Sequence, residues 1–150
     1  MGTINFLFGI HNHQPTGNFD FVFESAFEKS YEPFIETLEK FPNIKMTFHF
    51  SGCLLEWIES NKPSYIDRIA KLVESGNIEI LSGGFYEPVL AMLPDRDKIA
   101  QIKKLNKYIK EKFGYKPRGL WLTERVWEPG LAKPITQAGI KYLTLDDYHL

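Results

Sequence analysis

Two histidines one residue apart, a carboxylate between two tryptophans, and a pair of aspartates near the last residues are the groups in this chain best equipped for chemistry. The carboxylate is Glu124, in Trp121-Leu122-Thr123-Glu124-Arg125-Val126-Trp127-Glu128-Pro129. Indole faces stack on the C–H faces of a pyranose ring, and a carboxylate can attack or stabilise an anomeric carbon with oxocarbenium character, so the phrase suits sugar chemistry. Arg125 beside it would help keep Glu124 ionised, as a nucleophile requires. The plainer alternative is a Glu–Arg surface pair with both tryptophans in the core. His11 and His13, in His11-Asn12-His13-Gln14-Pro15, point the same way if they lie on a strand, where they could ligate a metal or hydrogen-bond sugar hydroxyls. His49, His149, Asp146 and Asp147 are further candidate ligands, in no recognised metal spacing. Glu79 stands between Ile78 and Ile80, where a charge is costly unless it is paired or faces a wet cavity. Glu87, before Pro88, reads as a loop residue with no assignable role.

The elements that must position these groups alternate from end to end. Short apolar runs bounded by Gly, Pro or Asn predict strands at Ile4–His11, Ile44–Ser51, Ile78–Gly83, Gly119–Thr123 and Tyr142–Asp146. Between them lie helical patterns. Ser64-x-x-Asp67 reads as a capping box ahead of the stripe Ile66, Ile69, Leu72 and Val73, which Gly76 ends. Asp95 can cap a helix whose stripe is Ile99, Ile102, Leu105, Ile109 and Phe113, ended by Gly114. The segment from Phe21 to Phe41 is helical in pattern, with Pro33 expected to split it into two pieces. A short helix at Leu131–Ala138 contains Pro134. The order βαβαβαβαβ predicts parallel strands with right-handed crossovers.

Strand parity chooses between an open doubly wound sheet and a barrel. Ile4, Phe6, Phe8 and Ile10 share one face of the first strand, opposite Asn5, Leu7, Gly9, His11 and His13. Met46, Phe48 and Phe50 oppose Thr47, His49 and Ser51, and Ile78 and Ile80 oppose Glu79, Leu81 and Gly83. One face is apolar and the other polar or small. A doubly wound sheet would be apolar on both faces, whereas a barrel covers only its outside with helices and carries polar groups toward its mouth. All five strands also end in functional groups, the place where parallel α/β folds build their sites. Strict alternation sends Glu124 outward with Leu120 and Leu122, so either the strand ends at Thr123 or a bulge re-aims it.

Composition excludes several other classes. With 18 Lys+Arg against 19 Asp+Glu in 150 residues, no basic surface for nucleic acid is present. A 43% hydrophobic content argues against disorder. No apolar run is long enough for a bilayer and nothing frames a signal peptide, while the single Cys53 favours a reducing compartment, so a cytoplasmic location is expected.

Three phrases in order carry a family resemblance: His11 to Pro15, Glu79-Ile80-Leu81-Ser82-Gly83-Gly84-Phe85-Tyr86-Glu87-Pro88, and Trp121 to Pro129. Together they make the chain resemble glycoside hydrolase family 57, the retaining α-amylase and 4-α-glucanotransferase family. The likeness extends to Asp146-Asp147-Tyr148-His149. The resemblance implies an incomplete TIM-like (β/α)7 barrel, with five parallel strands present. It implies Glu124 as catalytic nucleophile and His11, His13, Glu79 and Trp121 as substrate-binding residues, acting on an α-1,4-glucan or maltooligosaccharide without cofactor or metal. It also implies that the acid/base aspartate lies beyond residue 150. Residues 1–150 are thus expected to be the N-terminal part of one catalytic domain, inactive and poorly stable by themselves. Two rivals stand beside this reading: a metal-dependent barrel hydrolase such as a carbohydrate deacetylase, and a non-catalytic glucan-binding fragment.

Overall fold

The computed structural model describes residues 2–149. Its strands are β1 (Gly9–Asn12), β2 (Met46–Phe50), β3 (Ile78–Leu81), β4 (Gly119–Trp121) and β5 (Tyr142–Thr144). Its helices are α1 (Asp20–Ala26), α2 (Glu32–Glu39), α3 (Gly52–Asn61), α4 (Pro63–Glu74), α5 (Asp95–Phe113) and α6 (Ala132–Gln137). All strand pairings are parallel. β1-β2-β3 form one ladder and β4-β5 a second, and the two are joined by a single bridge between Ser82 and Leu120. The expected alternation is therefore present, with spatial order following chain order.

Parity holds where it matters. Met46, Phe48, Phe50, Ile78 and Ile80 are buried in one apolar cluster with residues of α1 to α5, and Leu120 and Leu122 in a second with Ile102, Leu131 and Ile135. The opposite face borders a cavity of about 780 Å³, lined among others by Thr47, Glu79, Leu81, Trp121, Tyr142 and Thr144. Helices cover one face only.

Several boundaries differ from expectation. β1 pairs only from Gly9, and Ile4, Phe6 and Leu7 are exposed, because β1 is an edge strand with its one described neighbour on the β2 side. The helical run is not split at Pro33. It continues through a π-type turn, Phe27–Tyr31, in which the Glu32 N–H reaches the Phe27 carbonyl. The wider turn accommodates the proline, which would crowd a carbonyl of the preceding turn in a regular helix. The capping box at Ser64 does not form. Pro63 opens α4, where its fixed φ suits the first helical turn and its missing N–H costs no intrahelical bond. Asp95 is the first residue of α5 and not its cap, and its carboxylate pairs with Lys98 at 3.0 Å. Gly114 does end α5, at φ 64°. Helix α3, which sequence patterning did not resolve, follows β2 directly. Among the described residues no helix is long and apolar enough to cross a membrane.

The two faces should respond differently to truncation. Ile80→Ala removes a fully buried side chain and should cost about 2–5 kcal/mol in denaturant unfolding, whereas Thr47→Ala on the cavity face should cost under about 1 kcal/mol. Equal losses would contradict the one-sided core.

Candidate active site

The rim is assembled from the carboxyl ends of the strands. Register places His11 beside His49 across β1 and β2. Their Nδ1 atoms are 2.8 Å apart, so one carries a proton and the other accepts it. Asn12, on the opposite face of β1, donates from Nδ2 to the His49 carbonyl at 3.1 Å, fixing the height of the two strands. His13 stacks parallel to His11 at 5.8 Å. Trp121 stacks on His11 from β4, with centroids 4.7 Å apart and planes within 5°. In a flat sheet β1 and β4 would lie about 14 Å apart, so this stack requires a face strongly concave on the cavity side.

Glu124 escapes strand parity by a left-handed turn and not by a bulge. β4 ends at Trp121, and Glu124 and Arg125 take φ of 52° and 53°. Each left-handed non-glycine residue costs about 1–2 kcal/mol. The Arg125 N–H bonds to the Leu122 carbonyl at 2.9 Å, and the Arg125 guanidinium grips Asp146 at 2.7 Å, tying this turn to the segment that follows β5. Arg125 is therefore engaged by Asp146, and not dedicated to Glu124 as its neighbouring position suggested. Of the two aspartates it is Asp146 that meets the rim, while Asp147 and His149 sit in a short helical turn beyond it. The negative charge of Glu124 reaches His13, where it opposes the effect of burial on the imidazole.

Glu87, unassigned from sequence, is the buried centre of the rim. Its side chain is 6% exposed, with Oε1 3.3 Å from His49 Nε2 and Oε2 3.9 Å from His11 Nε2. It stands at φ 55° before Pro88, and with Glu124 and Arg125 makes three left-handed non-glycine residues among those described. Two glycines permit this. A Cβ at Gly83 would collide with His49 Nε2, and one at Gly84 would come within 2.6 Å of Pro88 Cδ. Phe85 seats the loop by packing against Gly52 at the start of α3. The Gly83-Gly84 pair ahead of Glu87-Pro88 was the available signal for a tight inward turn.

Glu79 is on the predicted face but at a different height. It pairs with Thr47, two residues below His49 and Leu81, roughly 7 Å down the strand. Its Oε1 accepts hydrogen bonds from the hydroxyls of Tyr142 and, at 3.3 Å, Tyr115. It is therefore not beside the histidines. Both tyrosine pKa values are raised, by burial first and then by Glu79.

Burial controls the protonation of the rim. It drives His11 down to about 4, helped by the charges of His13 and Arg125. It drives His49 well below its ordinary value, helped by His11 and His13. Glu87 is pushed up to about 7 by burial, with Glu124 adding to the rise and the Thr123 hydroxyl opposing it. Near neutral pH His11 and His49 are thus uncharged, and their contacts with Glu87 are not ion pairs. Buried polar atoms short of a hydrogen-bond partner gather here, among them His13 Nδ1, His49 Nε2 and Glu87 Oε1. Of the residues proposed from sequence as metal ligands, only His11 and His13 join a group of three; Glu87 completes it, with all three ligand atoms within 4.8 Å of one another.

A consequence for stability follows from Glu87. Its folded pKa lies above the unfolded value, so the folded state holds the extra proton between about 4.5 and 7 and loses stability as pH rises through that window. Glu87→Gln should remove this loss, so thermal melts should show the variant gaining on wild type between pH 5 and pH 8. A gap that stays constant with pH would contradict it.

The sequence profile of glycosyl hydrolase family 57 matches residues 7–150. The 4-alpha-glucanotransferase of Thermococcus litoralis is 56% identical over 149 residues, which is 99% of this chain and 22% of that protein. An alpha-amylase of Pyrococcus horikoshii is 54% identical over 149 residues, again 99% of this chain and 23% of the relative. The crystal structure of the Thermococcus litoralis enzyme superposes with a TM-score of 0.97 over 99% of this chain and 23% of that one. The chain therefore spans a little under a quarter of the length of these relatives. With the profile match running over residues 7–150, the chain belongs to glycosyl hydrolase family 57.

Proposed function

We propose that this chain carries the nucleophile-bearing part of a retaining, α-glucan-active glycoside hydrolase or transglycosylase. The observation that carries the reading is the left-handed turn at Glu124 and Arg125, which brings the Glu124 charge beside His13 on the rim that also holds His11 and Trp121. In this reading a maltooligosaccharide or longer α-1,4-glucan lies along the rim, with His11, His13 and Trp121 holding one sugar in front of Glu124.

The chemistry follows from that placement. The Glu124 carboxylate attacks the anomeric carbon while the glycosidic C–O bond breaks and a second carboxyl protonates the leaving oxygen. The glycosyl ester is then opened by water or by a sugar hydroxyl, whose proton returns to the second carboxyl. Two inversions retain the anomeric configuration. Retention places the second carboxyl about 5 Å from Glu124, and the family resemblance puts that aspartate beyond residue 150. Glu87 keeps its proton up to about pH 7, yet its carboxyl is buried against His49 and His11, which makes it a support for the imidazoles. Glu79, below the rim, would act on the sugar through the floor of the cavity and its tyrosine partners.

The concave face and the strand order β1 to β5 support a (β/α)7 barrel, in which further strands would close over the cavity. The one cysteine, Cys53, is free, with its thiol donating to the Gln14 carbonyl at 2.8 Å, and fits the cytoplasm.

Kinetics of the full-length protein on maltooligosaccharides test this. Glu124→Gln should lower kcat on the order of a thousandfold or more with KM little changed, and His13→Asn should act more strongly on KM. Proton NMR of the first product should show the α-anomer. An initial β-anomer, or a Glu124→Gln variant of normal kcat, would overturn the proposal.

A further inference from the structure

We infer that His11, His13 and Glu87 form a binding site for one divalent transition-metal ion of the zinc class, distinct from any requirement of glycosyl transfer. The three residues come from two places on the rim, the end of β1 and the loop after β3, and their ligand atoms all lie within 4.8 Å of one another. His11 Nε2 is 3.9 Å from Glu87 Oε2. Ligands at about 2.0–2.2 Å around a tetrahedral ion sit roughly 3.4 Å apart, so a small rotation of either side chain closes that edge.

Three further observations point to a cation there. His13 Nδ1 is buried without a hydrogen-bond partner, a costly state that ligation through that atom would relieve. His11 is held from behind by the 2.8 Å contact of its Nδ1 with His49 Nδ1, which fixes the ring and leaves Nε2 facing Glu87. Such an outer partner on the second ring nitrogen is the usual companion of a metal-binding histidine. The His11 and His13 rings stack parallel within 10°, with centroids 5.8 Å apart.

The consequence concerns inhibition and rests on the proposed function. The ion would use the two histidines assigned to the sugar and would sit beside Glu124, the charge that must stay free to attack. Metal and glucan therefore exclude each other.

Calorimetric titration of zinc into metal-stripped, full-length protein tests the site, with tryptophan fluorescence as a second readout because Trp121 stacks on His11. One ion per chain is expected. His13→Asn and Glu87→Gln should each weaken binding roughly tenfold or more, in proteins whose melts show them folded; should one variant not fold, His11→Asn takes its place. No saturable binding at one ion per chain, or binding that survives these substitutions in folded protein, overturns the site. Saturating maltotriose should raise the zinc Kd at least tenfold. Zinc bound at one per chain with no response to maltotriose leaves the metal site standing and removes glucan from the histidines.

Discussion

Side chains on a strand alternate in direction, and every group on this rim depends on that alternation or on a local departure from it. Met46, Phe48, Phe50, Ile78 and Ile80 take the helix-covered face, which leaves His49, Thr47, Glu79 and Leu81 on the concave one. The core is thereby built from the same short strands, three to five residues each, that aim the chemistry. Any slip by one residue would exchange the two sets and lose both. Where alternation would misdirect a needed group, the backbone pays locally. Glu87, Glu124 and Arg125 are the three non-glycine residues with left-handed φ among the described residues, and all three lie on the rim.

The rim is an electrostatically uneven place. Burial keeps His11 and His49 neutral and holds a proton on Glu87 up to about pH 7, while Glu124 is the charge that bears on His13 and Glu87. Arg125, the one cation next in sequence to Glu124, is drawn aside by Asp146. That pairing serves geometry, since it anchors the strained turn to the segment that follows β5.

Much of the fold was legible because it is local. The parity of 46–50 and 78–81 needs only the strand itself, and the Gly114 stop needs only the helix before it. What failed to show depends on partners distant in the chain. Parity assigned Glu79 its face, but its height comes from pairing with Thr47, and its hydrogen bonds come from Tyr115 and Tyr142. Ile4 to Phe8 have a strand's composition, yet pairing begins only at Gly9 because an edge is defined by its neighbours. Glu87 was hidden for the same reason. Its place follows from the collision a side chain at Gly83 would suffer with His49, 34 residues earlier. For Glu124, parity predicted a conflict and thus a local break, and the break is present in an unexpected form.

The most direct measurement is covalent trapping. Full-length protein treated with a 5-fluoro-α-glucosyl fluoride, digested and read by mass spectrometry, should carry one hexosyl label on the peptide containing Glu124, on that residue. A label on another carboxylate, or turnover with retention and no ester at Glu124, would contradict the assignment of the turn at Glu124 and Arg125 as the device that delivers the nucleophile.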